Sequence, residues 1–268
     1  MIYITEPGFE PKHINPFTEE RYSNDWIVFC LTNSKNYEIT NGRGDSHVYT
    51  LKVSKKCTQW EFSLMDFIEY ENSYCKNMIL SVNEEDLIKA KEVYGSHHYN
   101  EAFLRDNEPK VLIHSTTIEN WEKIKRDGYL KSWNMLKRED DNYKDKLIGK
   151  LLGDPKDYSD YIKFSRGNVS GEIVALSREN NNITMDENMK YKTGARLYFD
   201  IEKIAKDGLL VRDGCHLKVK DMLSLDKYLI WTATWENLNL ESEYSTPENF
   251  TRIANEIFNS LFGDALIK

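Results

Sequence analysis

Short runs of β-branched and aromatic residues outnumber helical patterns along this chain, and the two do not alternate regularly. That arrangement points to the α+β class with largely antiparallel sheet. WIVFCLT (26–32), HVYTLKV (47–53), WEFSLMDFI (60–68) and MILSV (78–82) read as strands separated by Asn, Gly, Ser and Lys, so the N-terminal half is expected to be β-rich. GRGD at 42–45 reads as a turn between two of them. Asn83 then starts a helix, with Asp86 as capping partner and Gly95 as its stop. Polar residues continue through Pro109, which divides the chain into a β-rich region at 1–107 and a second unit at 108–268.

From Lys110 the pattern changes. VLIH is a short buried strand, Thr116-x-x-Glu119 offers a capping box, and Ile118, Trp121 and Ile124 form one apolar stripe that ends at Gly128. Residues 134–160 are charged and lack apolar periodicity, so a long loop or a mobile insertion is expected there. YIKFS (161–165), GEIVALS (171–177) and ARLYFDI (195–201) read as strands, and Asp200 caps a short helix that ends at Gly208. Asp213-Gly214 between LLVR and CHLKV is a hairpin signal, and YLIWTATW is a further strand. Last, Thr246 caps a helix with Pro247 at its first position. Phe250, Ile253, Ala254, Ile257, Phe258 and Leu261 share its apolar face.

The 268 residues suffice for a substantial core. No run approaches the roughly 20 apolar residues of a membrane span, and the N-terminus lacks a signal-peptide layout. Cys30, Cys57, Cys75 and Cys215 are far apart and form no CxxC pair. They read as reduced, mostly buried thiols, so a cytoplasmic location is expected, with neither disulfide frame nor zinc site. A formal net charge of −8 opposes indiscriminate binding to phosphate backbones.

Motifs for a Rossmann or P-loop nucleotide site, a zincin or a serine-hydrolase elbow are absent. His97-His98 reads as a surface turn. Asp154, Asp157 and Asp160 read as a solvated acidic loop, lacking the glycine and terminal glutamate of a calcium loop. A metal-dependent hydrolase using those carboxylates is the weakest of the readings kept open.

What remains is an ordered series: His114-Ser115-Thr116; Trp121, Ile124, Gly128 and Leu130; Leu176-Ser177; Asp200, Ala205, Asp207-Gly208 and Arg212. Over residues 110–230 this series resembles the catalytic half of the RNA 2′-phosphotransferases, a branch of the ADP-ribosyltransferase fold. The DNA-modifying ADP-ribosyltransferases open similarly. The sequence departs from the phosphotransferase pattern where Ser115 stands for a glycine, and where Tyr129 intervenes between Gly128 and the leucine.

The resemblance implies split, largely antiparallel sheets with flanking helices, and NAD as a substrate whose nicotinamide–ribose bond is broken. It implies that His114, Ser115 and Thr116 contact NAD or an ADP-ribose-like group, with Arg212 as phosphate clamp, Arg178 as second arginine and Ser177 along the cleft. Tyr129, Tyr161 or Trp133 would stack on nicotinamide. A glutamate that holds ribose is used in the protein-modifying branch, and Glu236 then Glu172 are the candidates. Helix N-terminal amides beside the histidine suit an anion, and imidazole suits a ribose hydroxyl. His216 reads as a surface residue. The acceptor is left open among a protein, a nucleic acid and a phosphorylated nucleotide end. A non-catalytic module that binds ADP-ribose or a protein partner is the alternative.

Overall fold

The structure, a computed structural model, describes residues 1–96, 104–106, 108–139, 155–180 and 182–263. The chain is mixed α and β with several antiparallel sheets and divides into two compact units. The first takes the described parts of residues 1–100, 149–158 and 211–216, and the second takes the rest. Two short segments from beyond residue 107 therefore belong with the N-terminal part. No helix is long and apolar enough to cross a membrane, among the described residues.

In the first unit the strands are β1 (Ile2–Thr5), β2 (Trp26–Thr32), β3 (Ile39–Arg43), β4 (Tyr49–Ser54) and β5 (Asn77–Ser81), with helices α1 (Trp60–Ser73) and α2 (Glu84–Ser96). They form one sheet of order β1-β5-β2-β4-β3, parallel except for the antiparallel β3–β4 pair. The reason lies in WIVFCL, which is buried residue after residue without alternation. A strand buried on both faces is the mark of a parallel sheet covered by helices.

WEFSLMDFI, expected as a strand, is most of α1. Trp60, Leu64 and Phe67 recur at helical spacing, and Phe67 meets Phe29 of β2 at 5.3 Å between ring centroids. Gly42 and Arg43 of GRGD end β3, and the turn follows them, closed by His47 N–H donating to the Gly44 carbonyl at 3.0 Å. Asn83 caps α2 as expected, its Oδ1 accepting from Asp86 N at 2.7 Å.

The second unit contains β6 (Val111–Thr116), α3 (Ile118–Asp127), β7 (Tyr129–Lys131), α4 (Trp133–Glu139), β8 (Tyr161–Lys163), α5 (Ser170–Glu179), β9 (Tyr191–Lys192), β10 (Ala195–Asp200) and α6 (Ile201–Lys206). After β11 (Leu210–Arg212), whose Val211 and Arg212 count with the first unit, come β12 (Leu217–Lys220), β13 (Met222–Ser224), α7 (Leu225–Tyr228), β14 (Leu229–Ala233), β15 (Tyr244–Ser245) and α8 (Pro247–Phe262). β10 is central to an antiparallel β14-β10-β6 sheet, and β12–β8, β13–β7 and β15–β9 are further antiparallel pairs.

Two expectations fail here. GEIVALS is a helix, α5, and not a strand: Ile173 and Leu176 are buried at helical spacing. Residues 134–160 are not one loop, because α4 occupies the first part and a 3₁₀ turn spans Lys156–Asp160; residues 140–154 lie outside the described residues. The helix after β6 starts one residue later than the capping box implied. Thr116 is still paired with Ala195, so Thr117 caps, accepting from Asn120 N.

β10 separates two apolar layers. Leu197 and Phe199 face Leu112, Trp121 and Leu130, while Tyr198 faces Val111, Ile113 and the Phe250/Ala254/Phe258 stripe of α8. Gly194, just before β10, passes so close to β6 that a Cβ there would lie 1.8 Å from the Thr116 carbonyl oxygen. Only a residue without a side chain fits at that approach.

Candidate functional site

Alternation along β6 sorts the HST residues onto two faces. His114 pairs with Leu197 and lies on the same face as Leu112 and Thr116, whereas Ser115 pairs with Arg196 on the α8 face. Ser115 therefore points away from His114, and its Oγ accepts from Arg196 at 3.5 Å. Thr116 is buried at the strand end.

His114 is only partly buried, edge-on to Phe164 at 6.2 Å. On its free edge β6 is flanked by Ser165, which exchanges both backbone hydrogen bonds with Ile113. That brings the Lys163 carbonyl to 3.1 Å from His114 Nδ1. A carbonyl can only accept, so the proton sits on Nδ1 and Nε2 is left as an acceptor. Burial is the main force holding the imidazole neutral, down to about 4; the Lys163 hydrogen bond opposes it and the Arg178 charge assists it.

A stability signature follows from this depressed value. Between the ordinary histidine value of 6.5 and about 4 the unfolded chain binds a proton that the folded chain does not, so stability is lost as pH falls through that window. Between about pH 7 and pH 5 the loss amounts to about 2 kcal/mol. Urea unfolding at the two pH values, compared with His114→Gln, should show that increment in the parent protein and its removal in the variant. An equal pH response in both would mean that His114 is not held neutral.

The other expected site residues lie on separate elements. Arg178 is an exposed residue near the end of α5, its charge felt at His114. Ser177 is buried and its hydroxyl is committed to the 184 loop, donating to Thr184 O and accepting from Thr184 N, both at 3.2 Å. Tyr129 is exposed at the start of β7. Glu236 is exposed in the turn after β14, where it accepts from Thr234 Oγ1 at 3.2 Å. Arg212 falls in the first unit with residues 211–216, while His114, Arg178 and Glu236 fall in the second.

Of the acidic loop, Asp157 accepts from Tyr70 Oη at 2.7 Å and Asp160 accepts from Asn134 Nδ2 at 2.8 Å. Asp154, His97 and His98 lie outside the described residues. Among the described residues no group of three His, Cys, Asp or Glu side chains is placed to hold a metal ion. The four cysteines are free; Cys30 is buried, Cys57 and Cys215 are partly buried and Cys75 is exposed, so they are not mostly buried as expected.

Behind β6 sits a polar centre that holds Glu172, the second glutamate candidate, against Arg196, which was not singled out in the sequence. Arg196 and Glu172 are both wholly buried and 3.5 Å apart. Arg196 also donates to Gly167 O at 2.8 Å, Asn168 O at 3.3 Å, Tyr198 Oη at 3.2 Å and Asn255 Oδ1 at 3.2 Å. Tyr191 Oη donates to Glu172. Burial and the Glu172 carboxylate hold the Tyr191 phenol well above its ordinary value. The signal was an arginine inside the otherwise apolar run ARLYF, since a charge in a buried strand requires a partner. No protein-family model, no curated protein and no solved structure matches this chain.

Proposed function

We propose that the second unit is an NAD-dependent transferase of the ADP-ribosyltransferase fold, in which the nicotinamide–ribose bond of NAD breaks and ADP-ribose passes to a protein, a nucleic acid or the phosphate of a phosphorylated nucleotide end. The observation that carries this reading is His114. Its Nδ1 proton is held by the Lys163 carbonyl, which turns Nε2 into an acceptor for a hydroxyl, and a cationic Arg178 lies nearby. A neutral imidazole on which a guanidinium charge acts suits a ribose hydroxyl near a phosphate. Thr117, capping α3 immediately after β6, leaves helix N-terminal amides close to the same strand end. The antiparallel sheets of this unit support the fold assignment at the level of class.

The second reading is a non-catalytic module on the same fold that binds ADP-ribose. It is favoured by Ser115 facing Arg196, by Ser177 being committed to Thr184, and by Glu236 sitting on an exposed turn.

The test is nicotinamide release from NAD by the pure protein, with and without cell lysate. The transferase reading expects release that depends on lysate, and His114→Ala should reduce it at least about 100-fold while the protein stays folded. His114→Gln should keep part of the NAD binding, because an amide also pairs with a hydroxyl. No release combined with ADP-ribose binding would replace the transferase by the module. An inactive His114→Ala that is also unfolded would remove the principal residue from both readings.

A further inference from the structure

The sequence feature left over is Asp213-Gly214-Cys215-His216, between β11 and β12, and it places three chemically coupled side chains together within the first unit. The Asp213 carboxylate, almost fully buried, accepts from Cys215 N at 3.0 Å, from His216 N at 2.6 Å and from His216 Nδ1 at 3.2 Å. Since a carboxylate accepts, Nδ1 carries a proton and the imidazole is turned so that Nε2 faces Cys215 Sγ at 3.8 Å. Asn41 of β3 adds a second donor, its Nδ2 lying 3.2 Å from the sulfur and 3.4 Å from Nε2. The Tyr158 ring stands edge-on to the imidazole at 5.6 Å and limits its rotation.

The turn itself is fixed. Gly214 has a φ of +89, and a Cβ there would lie 2.3 Å from the Ser63 carbonyl oxygen of α1. An Asp-led turn accounts for the two backbone hydrogen bonds, but not for the imidazole held between carboxylate and sulfur. Cys215 and His216 are both partly open to solvent, and Cys215 is unbridged.

We infer that Cys215, His216 and Asp213 form a nucleophilic thiol site, with Asn41 as a second donor to the sulfur, that takes the acyl group of an activated ester or thioester. The roles follow from the geometry. Cys215 gives its thiol proton to His216 Nε2, the sulfur electron pair forms a bond to the acyl carbon, and the bond from that carbon to the leaving oxygen or sulfur breaks. The leaving group departs with the bonding pair and takes the proton from His216 Nε2. Neutral His216 then accepts a proton from water, whose oxygen bonds to the acyl carbon as the carbon–sulfur bond breaks and the thiolate returns. Asp213 holds the ring and balances the imidazolium. Burial works against that cation, yet the charges of Asp213 and Cys215 and the hydrogen bonds to them outweigh it and raise His216 to about 9. The inference is independent of the His114 reading.

The experiment gives the full chain p-nitrophenyl acetate near neutral pH, follows p-nitrophenolate, and locates acetyl groups by peptide mass. Cys75 is the internal control, being exposed and, among the described residues, without a histidine partner in its hydrogen bonds. Cys215 should acetylate at least about tenfold faster than Cys75 although it is less exposed. His216→Gln should bring Cys215 to the Cys75 rate and leave Cys75 unchanged. Equal rates at the two cysteines in the parent protein, or an unchanged Cys215 rate in a folded His216→Gln, would overturn the proposal. If His216→Gln does not fold, iodoacetamide alkylation of the parent protein decides in its place. Preferential labelling of Cys215 supports the site, and labelling no faster than at Cys75 overturns it.

Discussion

Replacing Arg196 by alanine is expected to cost the second unit about 3–5 kcal/mol of stability. The guanidinium is wholly buried and faces a wholly buried carboxylate at 3.5 Å. Among the described residues Glu172 Oε1 has no hydrogen bond of its own, so removing Arg196 strands a negative charge that, among those residues, Tyr191 alone still hydrogen-bonds. Gly167 O, Asn168 O and Asn255 Oδ1 each lose a donor as well. An unpaired buried charge is far more costly than a paired one is stabilising. Arg196→Met combined with Glu172→Gln should therefore recover much of the loss, because both charges leave together. Denaturant unfolding of the single and double variants measures this coupling. A single-variant cost below about 1 kcal/mol would mean that water enters and solvates Glu172.

The same network has a consequence for the candidate site. Ser115 is held on the Arg196 side of β6, and strand alternation then requires His114 to emerge on the other side. A register slip of one residue would exchange them. The buried ion pair thus helps specify which face of β6 His114 occupies, and Arg196 and Glu172 act on that histidine through the strand and not by touching it.

What could be read from the sequence was local and punctuated by strong signals. Asn83, Asp200 and Thr246 each cap the helix expected of them, because a short side-chain acceptor answering an amide three residues on is set by neighbours alone. Gly128 likewise ends α3, with its N–H on Ile124 O. Errors came where tertiary burial decides. WEFSLMDFI and GEIVALS carry aromatic and β-branched residues that suit strands, but each is a helix that buries acidic side chains too: Glu61 and Asp66 in α1, Glu172 in α5. The parallel order of the first unit was visible in principle, since WIVFCL runs apolar without alternation. His114 stood out because a polar residue at the end of an apolar strand is anomalous. The proton position on its ring did not, because it depends on Lys163, 49 residues away in sequence. The Asp213–His216–Cys215 arrangement was legible as a turn but not as a site, since Asn41 lies 174 residues from Cys215.

The second large effect is expected at Phe258, and it tests how α8 is seated. Phe258 is wholly buried, stacked on Tyr198 of β10 at 4.4 Å and 8° and tilted against Trp231 of β14 at 6.0 Å. Phe258→Ala removes the ring from between helix and sheet and should cost about 3–5 kcal/mol, the transfer of the ring and the cavity it leaves adding together. Leu261 belongs to the same predicted apolar stripe but is 59 % exposed, so it lies at the edge of the seat and not in it. Leu261→Ala should change stability by no more than about 0.5 kcal/mol. The contrast separates a helix docked along its whole length from one docked through Phe250, Ala254 and Phe258. It also reaches the polar centre, because Asn255, between these anchors, binds both Arg196 and the Gly167 carbonyl, the latter at 2.7 Å. If α8 loosens in Phe258→Ala, the Arg196 cluster should loosen with it. Adding Asn255→Ala to Phe258→Ala should then cost clearly less than Asn255→Ala does alone. Full additivity of the two, measured by urea unfolding, would show that the helix keeps its position without the phenyl ring.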